Sequence, residues 1–187
     1  MSSILLNTRD GTRISARLFL PTHAPKGTVL IAAAMGVKQA YYADFAAWLA
    51  RQGYAALTFD YRGMGDSRPA AMRHSLRGFE ADLFDWADDV DAAIEHLAGV
   101  APDAPLYVVG HSLGAQLPGM LKHRDRIAGL VSIAAGSGYW RDNAPRLRSL
   151  VLYFWHVLVP LATWAFGYFP GARLKKVGDL PRGVILQ

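Results

Sequence analysis

At 187 residues the chain is long enough for one substantial hydrophobic core and short for two. Its 52% hydrophobic and 19% charged content excludes a disordered polypeptide, and the absence of cysteine excludes disulfides and thiolate metal sites. The net charge of +5 is not spread evenly: residues 1–138 hold thirteen Lys/Arg against thirteen Asp/Glu, and residues 139–187 hold seven against two.

The first ten residues offer only Ile4-Leu5-Leu6 as an apolar run, too short for the core of a secretory signal, so the expected location is the cytoplasm. Ile4 to Asn7 and Arg13 to Leu20 read as paired strands around a turn at Asp10-Gly11. Gly27 to Ala33 is a continuous apolar run, as expected of a strand buried on both faces. Gln39 to Gln52 reads as helix and Tyr54 to Phe59 as strand.

The clearest periodicity runs from Phe79 to Leu97, where Leu83, Trp86, Ala87, Val90, Ala93, Ile94 and Leu97 recur at three- and four-residue steps. Glu80, Asp82, Asp85, Asp88, Asp89, Asp91 and Glu95 fill most of the remainder, and a solvated helix face is the expectation over a metal or basic-partner site. Pro105 to Val109 then reads as strand, Leu113 to Lys122 as helix and Ile127 to Ala135 as strand. Strands alternating with helices argue an α/β fold, a mostly parallel sheet with helices on both faces. Residues 1–138 would form its core and residues 139–187 a cap-like segment.

Within that tail, Leu150 to Phe169 is apolar and about long enough to cross a bilayer. His156, Pro160, Thr163 and Gly167 interrupt it, which favours a lid or cap helix over an apolar pocket; a spanning segment and a membrane-surface segment remain open readings. The scattered cations lack the dense basic stripe that nucleic acid would require, so no nucleic-acid partner is expected.

The chemistry lies in Gly110-His111-Ser112-Leu113-Gly114. Gly-x-Ser-x-Gly arises by chance, but here five strand-like residues run into Gly110 and a helical stretch follows Gly114. A strand–turn–helix of this kind presents the serine on a sharp bend, with residues lacking a Cβ on either side. Ser112 is therefore the candidate nucleophile, against the alternative of an incidental serine in a glycine turn. An oxyanion requires two backbone donors: Leu113 N–H, just after the serine, and Met35 N–H, in the loop Ala33-Ala34-Met35-Gly36 after an earlier strand.

The Gly110–Gly114 bend, the Asp60-Tyr-Arg-Gly-Met-Gly-Asp-Ser67 loop and their order resemble the α/β-hydrolase superfamily. More narrowly, the chain is similar to predicted bacterial hydrolases of the serine aminopeptidase and monoacylglycerol lipase-like group, with Gly136–Asn143 and Asp179–Gly183 resembling one branch of it. The resemblance implies hydrolysis of a carboxylic ester or amide, favouring a hydrophobic acyl part, and a structural role for the Asp60–Ser67 loop with Gly63 and Gly65 supplying its turns. No metal-ligand spacing or phosphate-cradling glycine loop stands out, so no metal, cofactor or nucleotide is expected.

Three departures qualify the resemblance. The oxyanion loop has Ala33-Ala34-Met35-Gly36 where many relatives carry His-Gly, and Pro118 falls inside the helix after the serine. The third concerns the triad, whose order is Ser, then Asp or Glu, then His. After Ile127–Ala135 the sequence offers only the cap-like stretch, so the chain reads as C-terminally truncated. Neither acid nor histidine is identified. His111 reads as packing, His96 and His123 as exposed, and His23 as part of an early turn; His74 and His156 are the two with access from above, and Asp142 sits where a displaced acid would. Two alternatives stand beside the serine hydrolase: a non-catalytic hydrolase-fold binding module and a membrane-associated protein. With no neighbour beyond it, the strand Ile127–Ala135 would be an apolar edge prone to self-association.

Overall fold

A computed structural model describes residues 1–187 and places six strands in one sheet: β1 (Ser2–Asn7), β2 (Arg13–Phe19), β3 (Thr28–Ala32), β4 (Ala55–Phe59), β5 (Leu106–His111) and β6 (Ile127–Ile133). Their spatial order is β1-β2-β4-β3-β5-β6. β1 and β2 are antiparallel to their neighbours, and β4, β3, β5 and β6 run parallel. Helices α1 (Ala43–Arg51) and α2 (Leu83–Val100) are the crossovers that parallel pairing demands. The α/β class read from alternation therefore holds.

Every residue of β3 and β4 is buried, which is why Gly27 to Ala33 reads as an unbroken apolar run. One hydrophobic cluster joins Leu30, Leu57 and Val108 of the sheet to Trp86, Val90 and Ile94 of α2. The same cluster takes in Val159, Phe169, Leu180, Val184 and Ile185, so the tail is stitched into the core.

Three helical readings require correction. Gln39 to Gln52 is a tight turn at Gln39–Tyr42 followed by α1. The helix expected to start near Phe79 begins only at Leu83, where Asp82 accepts from the Phe84 and Asp85 N–H groups and Asp85 reaches back to the Asp82 N–H. This reciprocal cap satisfies the orphan donors of the first turn and fixes the start. The helix after Ser112 is a single turn, α3 (Leu113–Gln116), followed by a tighter turn Leu117–Met120, because Pro118 cannot continue the bonding ladder.

The acidic face of α2 is also not uniformly solvated. Asp89 is fully buried, where it accepts from the Arg62 backbone N–H at 2.8 Å and from Arg62 Nε at 2.9 Å. Arg62 extends on to Asp10 at 2.6 Å and Asp85 at 3.2 Å, tying the loop after β4 to α2 and to the β1–β2 turn. Asp91, also buried, accepts from the Lys122 and His123 N–H groups, both at 3.0 Å. His96, expected to be exposed, is half-buried with Nε2 enclosed and unpartnered. A single-period reading of α2 missed these contacts because the loops that reach its acidic side are remote in sequence.

Burial pushes the Asp89 carboxyl up to about 7, against the pull of the Arg62 guanidinium. A carboxyl raised above its unfolded value of about 3.9 gives its full stability below that pH and loses it as pH rises to the folded value. Arg62→Met leaves the Asp89 carboxyl buried without its cation and is expected to cost about 3–5 kcal/mol. The penalty should be larger at pH 8 than at pH 5, where the orphaned carboxyl is protonated. Urea unfolding at the two pH values measures it, and an equal penalty at both would show that Asp89 does not titrate as stated.

Candidate active site

Parallel strands send their carboxyl ends to one edge of a sheet, and here three loops of interest leave that edge together. Ala32 of β3 is in register with Gly110 of β5, and His111 with Ile133 of β6. The Met35 loop therefore starts beside the Ser112 bend, and the Asp60 loop leaves β4 on the far side of β3.

Ser112 lies between β5 and α3 with φ 51° and ψ −115°. Only two other non-glycine residues, Ala134 and Lys175, have positive φ. Such a conformation costs roughly 1–3 kcal/mol and persists only where the surroundings impose it. The contacts that impose it are visible. Ser112 N–H donates to the Ile133 carbonyl at 2.8 Å, and Ala115 N–H to the Ser112 carbonyl at 3.0 Å. A Cβ on Gly110 would lie 2.5 Å from the Ala115 backbone, and one on Gly114 would overlap the Ala32 carbonyl oxygen. The two glycines thus let α3 fold back onto β5 and press against β3. Ser112 is half-buried at the bend.

Leu113 opens α3, so its N–H is among those with no carbonyl one turn back. Across from it, Ala34 to Val37 form a turn closed by Val37 N–H to the Ala34 carbonyl at 3.1 Å, with Gly36 at φ 80°. Ala34 N–H donates to the Tyr42 hydroxyl at 3.0 Å, whereas Met35 N–H has no acceptor within the chain. Tyr42 also lies 2.9 Å from His111 Nδ1 and so links the Met35 loop to the strand that carries Ser112. Burial raises the Tyr42 phenol above its ordinary value and keeps it protonated.

The loop is braced from its other side by the tail. Gly178 N–H donates to the Gly36 carbonyl at 3.1 Å, and a Cβ on Gly36 would sit 2.8 Å from Val177 Cβ. Tyr42 and the 177–179 segment escaped sequence reasoning, because neither carries a motif and both act through long-range contact.

The Asp60 carboxylate accepts from Gln39 N–H at 2.8 Å, Gln39 Nε2 at 3.1 Å and Asp66 N–H at 2.8 Å, which occupies it in holding the loop. Gly63 and Gly65 both have positive φ. Of the six histidines, only His111 uses its ring in a hydrogen bond, and its partner is Tyr42, so no histidine ring hydrogen-bonds Ser112. His23, His74 and His156 are exposed, and His123 is half-buried. Asp142 accepts from the Ser137 hydroxyl and engages no histidine. A cleft lined by Phe79, Asp82, Asp85, Arg182 and Gly183 does not include Ser112.

A family model described as serine aminopeptidase, S33, matches residues 23–175. The chain belongs to this family. Among solved structures, a thermostable carboxyl esterase from Bacillus coagulans in complex with glycerol is 18% identical with a TM-score of 0.65. The match covers 80% of this chain and 50% of the esterase. XC6422 from Xanthomonas campestris, an α/β serine hydrolase without lid, is 20% identical with a TM-score of 0.58 over 74% of this chain and 63% of its own. Both share its fold. Over 66 residues the chain is 38% identical to the lysophosphatidylserine lipase ABHD12 of Gallus gallus, 35% of this chain and 15% of the lipase. The chain thus spans 15% to 63% of the length of these relatives.

Tyr42→Phe removes the acceptor of the Ala34 N–H, a buried group, and is expected to cost about 1–3 kcal/mol. Tyr41→Phe, at a side chain 74% exposed, should be neutral. Equal denaturation midpoints for the two variants would show that the Tyr42 hydroxyl holds nothing.

Proposed function

We propose that this S33-family chain is a serine hydrolase acting on a small-molecule carboxylic ester or amide, with Ser112 as nucleophile. The observation that carries the reading is the positive-φ bend at Ser112, a strained backbone geometry maintained by two glycines and a cross-strand hydrogen bond. In the proposed reaction Ser112 Oγ attacks the acyl carbon and gives its proton to a base. The carbonyl π electrons move to oxygen, which the Leu113 and Met35 N–H groups stabilise. Collapse expels the alcohol or amine, protonated as it leaves, and water then releases the acid from acyl-Ser112. The free Met35 N–H supports its place in the pair, because the Ala34 N–H before it is taken by Tyr42. A hydrophobic acyl part for the substrate and a cytoplasmic location belong to the same proposal.

A second reading is a hydrolase-fold module that binds without turnover. Its support is that no histidine ring engages Ser112, and an unactivated serine is a poor nucleophile. A fluorophosphonate probe separates the two readings. The hydrolase is expected to be labelled covalently, with fluoride released, and Ser112→Ala to lose the label. Wild type labelled no faster than Ser112→Ala would overturn the hydrolase reading and leave the module.

The outer strand supports self-association of this chain. β6 pairs only with β5, and its Leu130, Val131 and Ile133 side chains are 43%, 55% and 46% exposed. An open apolar edge of this kind templates pairing with another chain. Light scattering should show concentration-dependent oligomers that Val131→Lys reduces; a wild-type monomer at all concentrations would count against it.

A further inference from the structure

The helix formed by α4 (Pro145–Tyr153), a wider turn at Phe154–Leu158 and α5 (Val159–Phe166) is continuous over 22 residues, yet only 11% of its most apolar stretch is buried. Its length is about 33 Å at the ordinary helical rise. One face is committed to the body: Val159 and Thr163 are buried, Phe154 packs edge-on against Phe169, and Arg77 donates to the Ala165 carbonyl at 3.0 Å. The other carries Leu150, Tyr153, Val157, Leu161 and Trp164 at steps of three and four residues, all exposed, with Leu150 at 59%, Leu161 at 61% and Trp164 at 82%. Five apolar side chains on one stripe are more than scattered surface hydrophobics require explaining.

Charge decides between occupants of that stripe. From Asn143 to Gly178 there is no Asp or Glu, while Arg146 and Arg148 precede the apolar run and Arg173, Lys175 and Lys176 follow it. Arg146, Arg173, Lys175 and Lys176 are exposed, and none of the five forms an ion pair. An apolar stripe with aromatic rings, bracketed by unpaired cations and free of acids, matches the layered chemistry of an anionic bilayer surface: acyl chains beneath, phosphate and carboxylate at the headgroups.

We infer that the Leu150–Trp164 face docks on an anionic lipid bilayer, with the helix lying in the plane of the interface. It does not span, because the Val159/Thr163 face is already packed against the protein and lipid cannot surround it. The 168–180 segment that leaves α5 is the one that braces Gly36, so the docked helix and the Met35 loop share one support. Docking does not depend on catalysis and stands apart from the hydrolase reading.

Vesicle flotation of the full chain tests it without an activity assay. Wild type should float with phosphatidylcholine vesicles containing phosphatidylserine and bind pure phosphatidylcholine about tenfold or more weakly, since each surface cation favours the anionic lipid. Leu161→Glu/Trp164→Glu should stay at the bottom of the gradient with an unchanged circular dichroism spectrum and melting temperature. Arg173→Glu/Lys175→Glu/Lys176→Glu should lose the preference for phosphatidylserine. Wild type that ignores phosphatidylserine vesicles overturns the inference, as does a double variant that floats equally well. An oligomer that the double variant converts to monomer also overturns it, by showing that the stripe covers a second copy of the chain.

Discussion

The site rests on a backbone that would not hold its shape alone. At φ 51° and ψ −115° the peptide at Ser112 occupies a region that side-chain-bearing residues avoid, so the conformation must be imposed by what surrounds it. Three features impose it. The Ile133 carbonyl fixes the Ser112 N–H from the neighbouring strand, Gly110 lets α3 turn back on β5, and Gly114 lets α3 approach the end of β3 closer than a Cβ would permit. Because β3 leads into the Met35 loop, the contact at Gly114 also fixes where that loop begins. Strain at the bend and the start of the Met35 loop thus share one packing contact.

Around that contact, carboxylates serve backbone and loop anchoring more than charge display. Buried Asp60 gathers donors from Gln39 and Asp66, buried Asp91 holds the chain at Lys122 and His123 after α3, and half-buried Asp82 starts α2. Asp89 with Arg62 is the deepest of these anchors. A short-chain acceptor is well suited to the work, since it can satisfy two N–H groups of an irregular loop that would otherwise be buried unpaired. The loops at the carboxyl edge are thus held by the layer beneath them.

The tail has two chemistries on opposite sides. Its inward residues belong to the same cluster as the sheet, and its Gly178 supports the Met35 loop. Its outward residues form an apolar stripe with cations at both ends and no acid between them. The net charge of the whole chain is therefore a property of one surface, which is why a global figure of +5 says little about function and its location says much.

Much of this was legible from residue order. A continuous apolar run marked β3 because both its faces are covered, and the strand–glycine–serine–glycine–helix order marked the bend because few residue combinations tolerate it. Pro118 marked a break in the bonding of the following helix, but that Leu113 to Lys122 would hold only a single α-turn came from the structure. Local chemistry determines such features, and the sequence by itself determined them. Which aspartates of α2 would be buried, that Tyr42 would claim the Ala34 N–H and leave Met35 free, and that residues 177–179 would brace the loop were decided only by the tertiary structure. Each depends on groups tens of residues apart meeting at hydrogen-bond distance, and no local period or propensity encodes where a distant loop will land.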